Sequence, residues 1–417
     1  MDEGGWGAIP SDTLVGILLR LLPTPRRRLR LVCRHWRHVI DDRMPAARQA
    51  RAKVLAFSAD QGSSSGRPRA YVLDGLIEGR SSELELPGTA LPAPPPRRRR
   101  SPWLDHDESD QGTRIVGTCN GLICLCLGRG DIFLFNPVTG EELVVPPPPP
   151  QPLPRPAAGG SYHDDDATHG FCFTYHPETG MYKILRVPRH PNETFDAVHV
   201  FTLGEAAPWR EVPAPGSSCR FEFGIVAVRG VAYWVSKDAK RVVSFDLGGE
   251  RAAVVAKLPV HVPSEPWLRR RYTCSLADVG GRLGFTVCHN EAMTSKTEVF
   301  VLEERMTWIR QYVVLMNDDQ EQQLASPLLA HGEHLLTEKR VRVTGDRPER
   351  MVAALYAHRP REDRALRCGV VPVAARSIGT AVLGVCDCSG LQTFPYVETT
   401  ESLLVYTVAM AAARLLA

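Results

Sequence analysis

Long apolar runs, a surplus of one charge, an even cysteine set and catalytic fingerprints are all missing from this sequence, and each absence removes a class of protein. The longest late apolar run, Leu403 to Ala413, is about half the roughly 20 residues that a membrane-spanning helix needs. Residues 1–8 read MDEGGWGA, acidic and without the apolar core of a secretory signal. Lys and Arg number 50 against 47 Asp and Glu, and a net charge of +3 over 417 residues does not argue for nucleic acid or a membrane surface as partner. The 11 cysteines are an odd count, which without a secretory signal favours reduced thiols over a disulfide framework. The expectation is an intracellular soluble protein, cytoplasmic or nuclear.

No catalytic constellation assembles. There is no Gly-x-Ser-x-Gly, no phosphate-cradling glycine loop, no His-Glu-x-x-His and no dinucleotide fingerprint. His163, His169, His176, His190 and His199 share one region but no ligand spacing. Cys124-x-Cys126 and Cys386-x-Cys388 leave one residue between sulfurs, where zinc sites leave two to four. In a strand, positions i and i+2 share a face, so both pairs fit a sheet core. The three carboxylates Asp164 to Asp166 fit a solvated loop tip. No metal, no cofactor and no enzymatic activity are expected.

What is present is ordinary globular composition, 43% hydrophobic and 23% charged, in a chain long enough for two domains or a repeat architecture. Near the start, Leu14, Ile17, Leu18 and Leu21 sit at i, i+3, i+4, i+7, one stripe of a helix. Leu29, Val32, Cys33, Trp36 and Ile40 form a second such stripe. Ser11 and Asp12 suit the start of the first helix, and Pro23 and Pro25 stop it. Forty residues bury little surface alone, so this hairpin needs a partner, either its own C-terminal domain or another protein.

The residues Ile9-Pro10, Leu14-x-x-Ile17-Leu18-x-x-Leu21 and Leu29-x-Leu31-Val32-Cys33-x-x-Trp36 resemble an F-box, the adaptor-docking motif of cullin–RING ubiquitin ligases. The resemblance covers about a tenth of the chain. It implies docking of a Skp-type adaptor through Ile9, Pro10, Leu14, Ile17, Leu18, Leu21, Leu31, Val32, Cys33 and Trp36. Two departures stand out: Arg26-Arg27-Arg28 occupies a segment usually apolar in the family, and the first helix runs on to Leu21-Leu22-Pro23.

After a third short helix over Met44 to Arg51, Val54–Ser58 and Tyr71–Leu73 read as short strands around the loop Gly62–Gly66. Pro87 to Arg100 is Pro-, Ala- and Arg-rich, cannot form a packed element, and ends in Arg97–Arg100, a basic run that fits nuclear import or plain solvated charge. From Ile115 onward short β-rich runs alternate with turn residues. Ile115–Cys119 and Leu122–Leu127 flank Asn120-Gly121, a strong hairpin signal. Pro146–Pro150 continues as a proline-rich loop. Phe133-Leu-Phe-Asn-Pro-Val-Thr-Gly140 recurs forty residues later as Phe173-Thr-Tyr-His-Pro-Glu-Thr-Gly180. Val200-Phe201-Thr-Leu203 recurs as Val299-Phe300-Val-Leu302, each followed six residues on by a tryptophan, Trp209 or Trp308. Toward the end, Ala381–Cys386 and Leu403–Val408 read as strands, followed by a helix-prone terminus.

A period of about 40 to 45 residues with four short strands per unit is the pattern of β-propeller blades, and the length allows about six to eight of them. A pair of β-sandwiches would not need a forty-residue echo. The fold class is therefore mainly β: residues 1–50 a helical domain, 51–114 a connecting segment with the first strands, and 115–417 a propeller. The recurring Trp and Phe are inter-blade packing residues.

Gly117-Thr-Cys-Asn-Gly-Leu-Ile-Cys-Leu125, Asn136-Pro137, Gly170-Phe171 through Tyr175, Tyr182-Lys-Ile-Leu-Arg-Val187, Trp209-Arg210, Val231-Ala-Tyr-Trp234, Phe245-Asp-Leu247 and Trp308 resemble, in order, the kelch-like F-box-associated domain of plant F-box proteins. Together the two resemblances imply the substrate-recognition subunit of a Skp–cullin–F-box ligase. The adaptor, and through it cullin and RING subunits, would bind the helices, and an unidentified target would bind the propeller. The other reading is a propeller scaffold or regulator whose F-box has degenerated.

Overall fold

The computed structural model describes residues 9–19, 29, 32–40, 53–58, 68–75, 80–87, 113–127, 130–149, 170–176, 179–188, 194–205, 209–262, 272–290, 294–304, 306–317, 322–343, 350–363, 368–372, 379–385 and 391–407. Outside them lie Met44–Arg51, Gly62–Gly66, Arg97–Arg100, Asp164–Asp166, Cys386, Cys388 and residues 408–417.

Two short helices, α1 (Ser11–Leu19) and α2 (Arg34–His38), precede the β region. Strands β1 (Lys53–Ser58), β2 (Arg69–Gly75) and β3 (Arg80–Leu84) form an antiparallel set. Three four-stranded antiparallel sheets follow in chain order. They are β4 (Arg114–Cys119) to β7 (Glu142–Val144), β8 (Phe171–His176) to β11 (Arg210–Ser217), and β12 (Val226–Val228) to β15 (Arg251–Lys257). The remaining members of these sheets are β5 (Leu122–Leu127), β6 (Asp131–Phe135), β9 (Met181–Arg186), β10 (Phe195–Thr202), β13 (Val231–Val235) and β14 (Arg241–Asp246).

The next blade comprises β16 (Tyr272–Val279), β17 (Leu283–Asn290), β18 (Thr294–Leu302) and β19 (Trp308–Asn317). After it, β20 (Gln322–Leu324) and β21 (Ser326–His331) both pair with β22 (His334–Val343), which pairs with β23 (Arg350–His358). An excursion, β24 (Arg361–Asp363) and β25 (Cys368–Pro372), lays β25 parallel against the outer strand β19 of the preceding blade. The chain returns as β26 (Gly379–Val385) on β23. Finally β27 (Leu391–Tyr396) pairs antiparallel with β1, from Lys53↔Tyr396 to Ser58↔Leu391. Residues 53–84, expected as a connecting segment, thus supply three strands of a blade whose fourth strand comes from the far end of the chain.

The innermost strands touch in the cyclic order β27, β4, β8, β12, β16, β21 and back to β27. The architecture is a closed six-bladed propeller, with blade one β27-β1-β2-β3 and blade six built on β21. Six is the low end of the expected range because blades begin at 114, 171, 226, 272 and 326, 46 to 57 residues apart.

Every blade has two apolar faces, and each interface holds one apolar cluster. Strand β1 shows how sequence drives this, since successive side chains point to opposite faces. Val54 and Ala56 meet Leu336, Leu355 and Ala357 of blade six, while Leu55 and Phe57 meet Ile123, Leu125 and Phe135 of blade two. Strand β5 divides in the same way: Leu122, Cys124 and Cys126 face blade three, and Ile123 and Leu125 face blade one. The Cys-x-Cys pair is sheet core.

The two repeats have different meanings. Trp209 opens the outer strand of blade three and its indole N–H donates to Pro146 O at 2.8 Å, while Trp308 opens that of blade five and donates to Lys257 O at 2.7 Å. Both therefore tether a blade to the end of the outer strand before it. The forty-residue echo is a turn rather than a blade period. It joins β6 to β7 in one copy and β8 to β9 in the other. In both, residue one of the turn accepts from the Gly N–H four positions on: Gly140 to Asn136 O and Gly180 to His176 O, each at 2.9 Å.

Asn120 and Gly121 adopt φ of 51° and 89°, the mirror-image turn their residue types favour. Any Cβ on Gly121 would come within 2.5 Å of Val397 O and the Thr399 side chain. That contact belongs to a tail, residues 397–407, which crosses the ends of blades two and three. Asn136 Nδ2–H donates to Glu401 O (2.6 Å), and the buried Glu401 carboxylate accepts from Tyr182 OH (2.8 Å) and Tyr406 OH (2.5 Å). Leu403 to Thr407 makes a helical turn instead of the expected strand, because Glu141 Oε2 accepts the Leu403 N–H and Ser402 Oγ the Leu404 N–H. Capping oxygens outweigh β-propensity there.

Between blades three and four, the Glu250 carboxylate accepts from buried Lys183 Nζ at 2.8 Å and from both terminal nitrogens of Arg210 at 2.8 and 2.9 Å. Burial alone would raise the Glu250 pKa; the hydrogen bonds from Arg210 and Lys183 outweigh it and hold the carboxyl below its ordinary value. A depressed acid stabilises the fold at any pH above its unfolded pKa, and that contribution is lost as pH falls through the lower folded value. Glu250→Gln is expected to cost about 2–3 kcal/mol at pH 7, since it leaves Lys183 buried without its anion. In chemical denaturation at stepped pH, the wild-type advantage should shrink on acidification below pH 5 and never grow.

Candidate functional site

The helical hairpin is organised about Leu14 and Leu18 of α1, which meet Trp36 and Val39, all buried. Ile9, Val15, Leu29, Cys33 and Ile40 pack at the margin of this small core. The ring Nε2–H of His35 donates to Ile9 O at 3.2 Å, tying the Ile-Pro opening to the second helix. The second stripe is less regular than its spacing predicts. Cys33 is extended (φ −162°, ψ 170°) ahead of α2, so Leu29 and Val32 precede the helix.

The ten residues proposed for docking therefore divide. Leu14, Leu18 and Trp36 hold the hairpin together, with Ile9 and Cys33 half-buried beside them. Pro10, Ile17 and Val32 face outward, and Ile17 and Val32 are 43% and 45% exposed. Leu21, Leu31 and Arg26–Arg28 lie outside the described residues. Periodicity finds an apolar face but does not distinguish side chains packed within the hairpin from those left outside.

The propeller has its own candidate site. Each inner strand begins at one end of the ring, and there the six blades enclose an axial cavity of about 200 Å³. Arg114 of blade two, Phe171 of blade three, Phe223 ahead of blade four, Ser275 of blade five, Ser326 of blade six and Gln392 of blade one all line it. A one-turn 3₁₀ helix, Phe221–Phe223, places Glu222 at the mouth, where Arg220 Nε–H donates to Glu222 Oε2 at 3.3 Å. The Arg220 guanidinium lies 5.0 Å from the Phe223 ring centre. Gln392 Oε1 is buried without a hydrogen-bond donor among the described residues. Strand order alone could not reveal this convergence, because the residues are spread from 114 to 394.

Chain entry to the ring lies at its opposite end. Lys53 begins β1 opposite Tyr396, the last residue of β27, and its ammonium bridges Asp74 and Glu398. The tail crosses that same end.

Among the described residues, no three His, Cys, Asp or Glu side chains group as a metal site would require. His176 accepts the Thr179 N–H on Nδ1 (3.2 Å) and faces Asp246 with Nε2 at 3.6 Å, a link between blades three and four. Burial pushes the thiols of Cys126 to about 11 and of Cys172 and Cys274 to about 12, and raises Cys124 well above its ordinary value. These are core side chains rather than nucleophiles.

A helical hairpin of this packing joined to a closed ring of six blades places the chain among β-propeller proteins with an N-terminal helical element. The chain belongs to the F-box-associated β-propeller family, whose profile matches residues 102–342, and an F-box domain profile matches residues 6–46. A curated F-box protein of Arabidopsis thaliana is 25% identical over 202 residues, 44% of this chain and 38% of that protein's length. The F-box protein ETP2 of Arabidopsis thaliana is 24% identical over 70% of this chain and 71% of its own. The structure of apo AztD from Citrobacter koseri aligns with 84% of this chain and 100% of its own at 8% identity, with a TM-score of 0.35, too low to carry an argument.

Two measurements test the reading of these side chains. Trp36→Ala should destabilise the hairpin by about 3–5 kcal/mol, and Ile17→Ala by under about 0.5 kcal/mol, when unfolding of the N-terminal helices is followed by circular dichroism. Iodoacetamide at pH 8 should leave Cys124, Cys126, Cys172 and Cys274 unmodified until denaturant is added, as read by peptide mass spectrometry.

Proposed function

We propose that this chain is the substrate-recognition subunit of a Skp–cullin–F-box ubiquitin ligase. The F-box match at residues 6–46, joined to a ring of the family found with such hairpins, carries the reading. The outward Pro10, Ile17 and Val32 contact a Skp-type adaptor, held in place by the internal Leu14, Leu18 and Trp36. The F-box resemblance adds Leu21 and Leu31 to the docking set, and Ile9 and Cys33 lie at the margin of the outward residues. Cullin and RING subunits attach through the adaptor. The target protein sits on the propeller, and neither nucleic acid nor membrane takes part. Ubiquitin transfer from thioester to lysine is performed by the other subunits. This chain is not an enzyme and supplies proximity by tethering. Its place of action is the cytoplasm or nucleus.

A second reading, a propeller scaffold with a degenerate F-box, is favoured by Arg26-Arg27-Arg28, which sets three cations in a segment usually apolar. Adaptor affinity separates the two. Purified full-length chain should capture adaptor and cullin, and a double Ile17→Asp, Val32→Asp variant should lose adaptor binding by more than about tenfold with its helical signal intact. If wild type fails to capture the adaptor, or the double variant keeps it, the ligase reading is wrong.

A further inference from the structure

We propose that Pro146–Pro149 is a preformed ligand for a polyproline-binding domain, one whose groove is walled by aromatic rings. The proposal concerns the rim of the ring and stands independently of the ligase reading. The segment follows β7, the outermost strand of blade two, and none of its residues lines the axial cavity.

The sequence sets its shape. Each of these four prolines is followed by another proline. A proline ring fixes φ near about −65°, and a following proline drives ψ to about +120 to +160°. Those angles are the polyproline II helix, with three residues per turn and a rise of about 3.1 Å per residue. Carbonyls three residues apart therefore share one side, and the fold uses that period. Trp209 Nε1–H donates to Pro146 O at 2.8 Å, and Arg186 Nη1–H donates to Pro149 O at 2.5 Å. Both donors rest on Phe171 of blade three. The Trp209 ring centre lies 6.3 Å from that of Phe171, and the Arg186 guanidinium lies 5.8 Å from it. One turn of the helix is thus clamped at both ends.

The clamp uses only one of the helix's three edges. Pro147 is exposed and Pro148 half-buried, and their carbonyls accept from no donor among the described residues. Val144, just ahead of them, is 62% exposed.

Few partner chemistries can read such a segment. Proline has no N–H, so a partner strand cannot add to this stretch of edge. Its side chain has no charge, so an ionic surface gains nothing here. What remains is a row of apolar ridges with carbonyl acceptors between them. Aromatic-lined grooves take such ridges between their rings, and their Trp N–H and Tyr O–H groups can donate to the carbonyls. The helix is stiff and clamped before contact, so docking costs it little conformational entropy.

The test is an array of purified WW, SH3 and EVH1 domains probed with the full-length chain. At least one domain should bind, and a free ten-residue polyproline peptide should displace the chain from it. Pro147→Ala combined with Pro148→Ala should weaken that binding at least about tenfold, with the ring still folded by circular dichroism. Pro147→Ala alone should weaken it about threefold, and decides the matter if the double variant misfolds. Pro94→Ala with Pro95→Ala, in the other proline run, should leave binding unchanged. The proposal is overturned if no domain binds or if the peptide fails to compete. It is equally overturned if binding survives the changes at Pro147 and Pro148, or is lost on changing Pro94 and Pro95. None of these readouts involves the adaptor, so failure of the ligase reading leaves them unaffected.

Discussion

Everything in this molecule follows from sheets that are apolar on both faces. A strand such as β1, with five consecutive buried residues from Val54 to Ser58, cannot rest one side on water. Each blade therefore needs a neighbour on either side, and a linear row would leave two faces bare. The ring removes that deficit, and the hydrogen bonds between β27 and β1 are what make it a ring. Among the described residues the interfaces are then equivalent in kind: six clusters and six contacts between inner strands. Polar links are superposed on this frame. The tryptophan tethers at Trp209 and Trp308 and the Lys183–Glu250–Arg210 group select which blade edge meets which, a job that uniform aliphatic surfaces do poorly.

Much of this was readable in the residues. The Asn120-Gly121 turn, the runs Leu122–Leu127 and Ile132–Phe135, and the tryptophan following Leu203 and Leu302 all carry local chemistry, and local chemistry is visible along a chain. The tryptophans were legible as inter-blade residues because both sit at the same point of their blade. The echo at forty residues misled on spacing. Asn136 and His176 share a turn whose hydrogen bonds involve five adjacent residues, and such a turn can join any two strands. The membership of β1–β3 in the ring was hidden for the opposite reason: their partner lies more than 300 positions away, at Leu391–Tyr396. The helical turn after Leu403 was hidden likewise, since its cap is Glu141.

The hairpin and the axial cavity divide in the same way. The hairpin could be found from spacing and from Ile9-Pro10, but the split between inward Leu14, Leu18 and Trp36 and outward Ile17 and Val32 depends on how two short helices cross. No periodicity encodes that. The axial cavity is built from residues at or near the starts of inner strands that are not near one another in sequence, and Gln392 and Phe394 enter it only because the last strand joins the first blade. The axial cavity and the closure of the ring are one event.

That coincidence bears on how the protein is made. During synthesis, β1 emerges with its Val54, Leu55, Ala56 and Phe57 ready for burial, yet the strand that flanks it toward the axis leaves the ribosome after some 330 further residues. Until then one backbone edge of a wholly apolar strand is open, the kind of edge that pairs with strangers. A message cut short before Leu391 would yield five ordinary blades and one unfinished one. Such a product would display the signature by which cells find faulty chains, an exposed hydrophobic strand, at the seam where the finished ring closes.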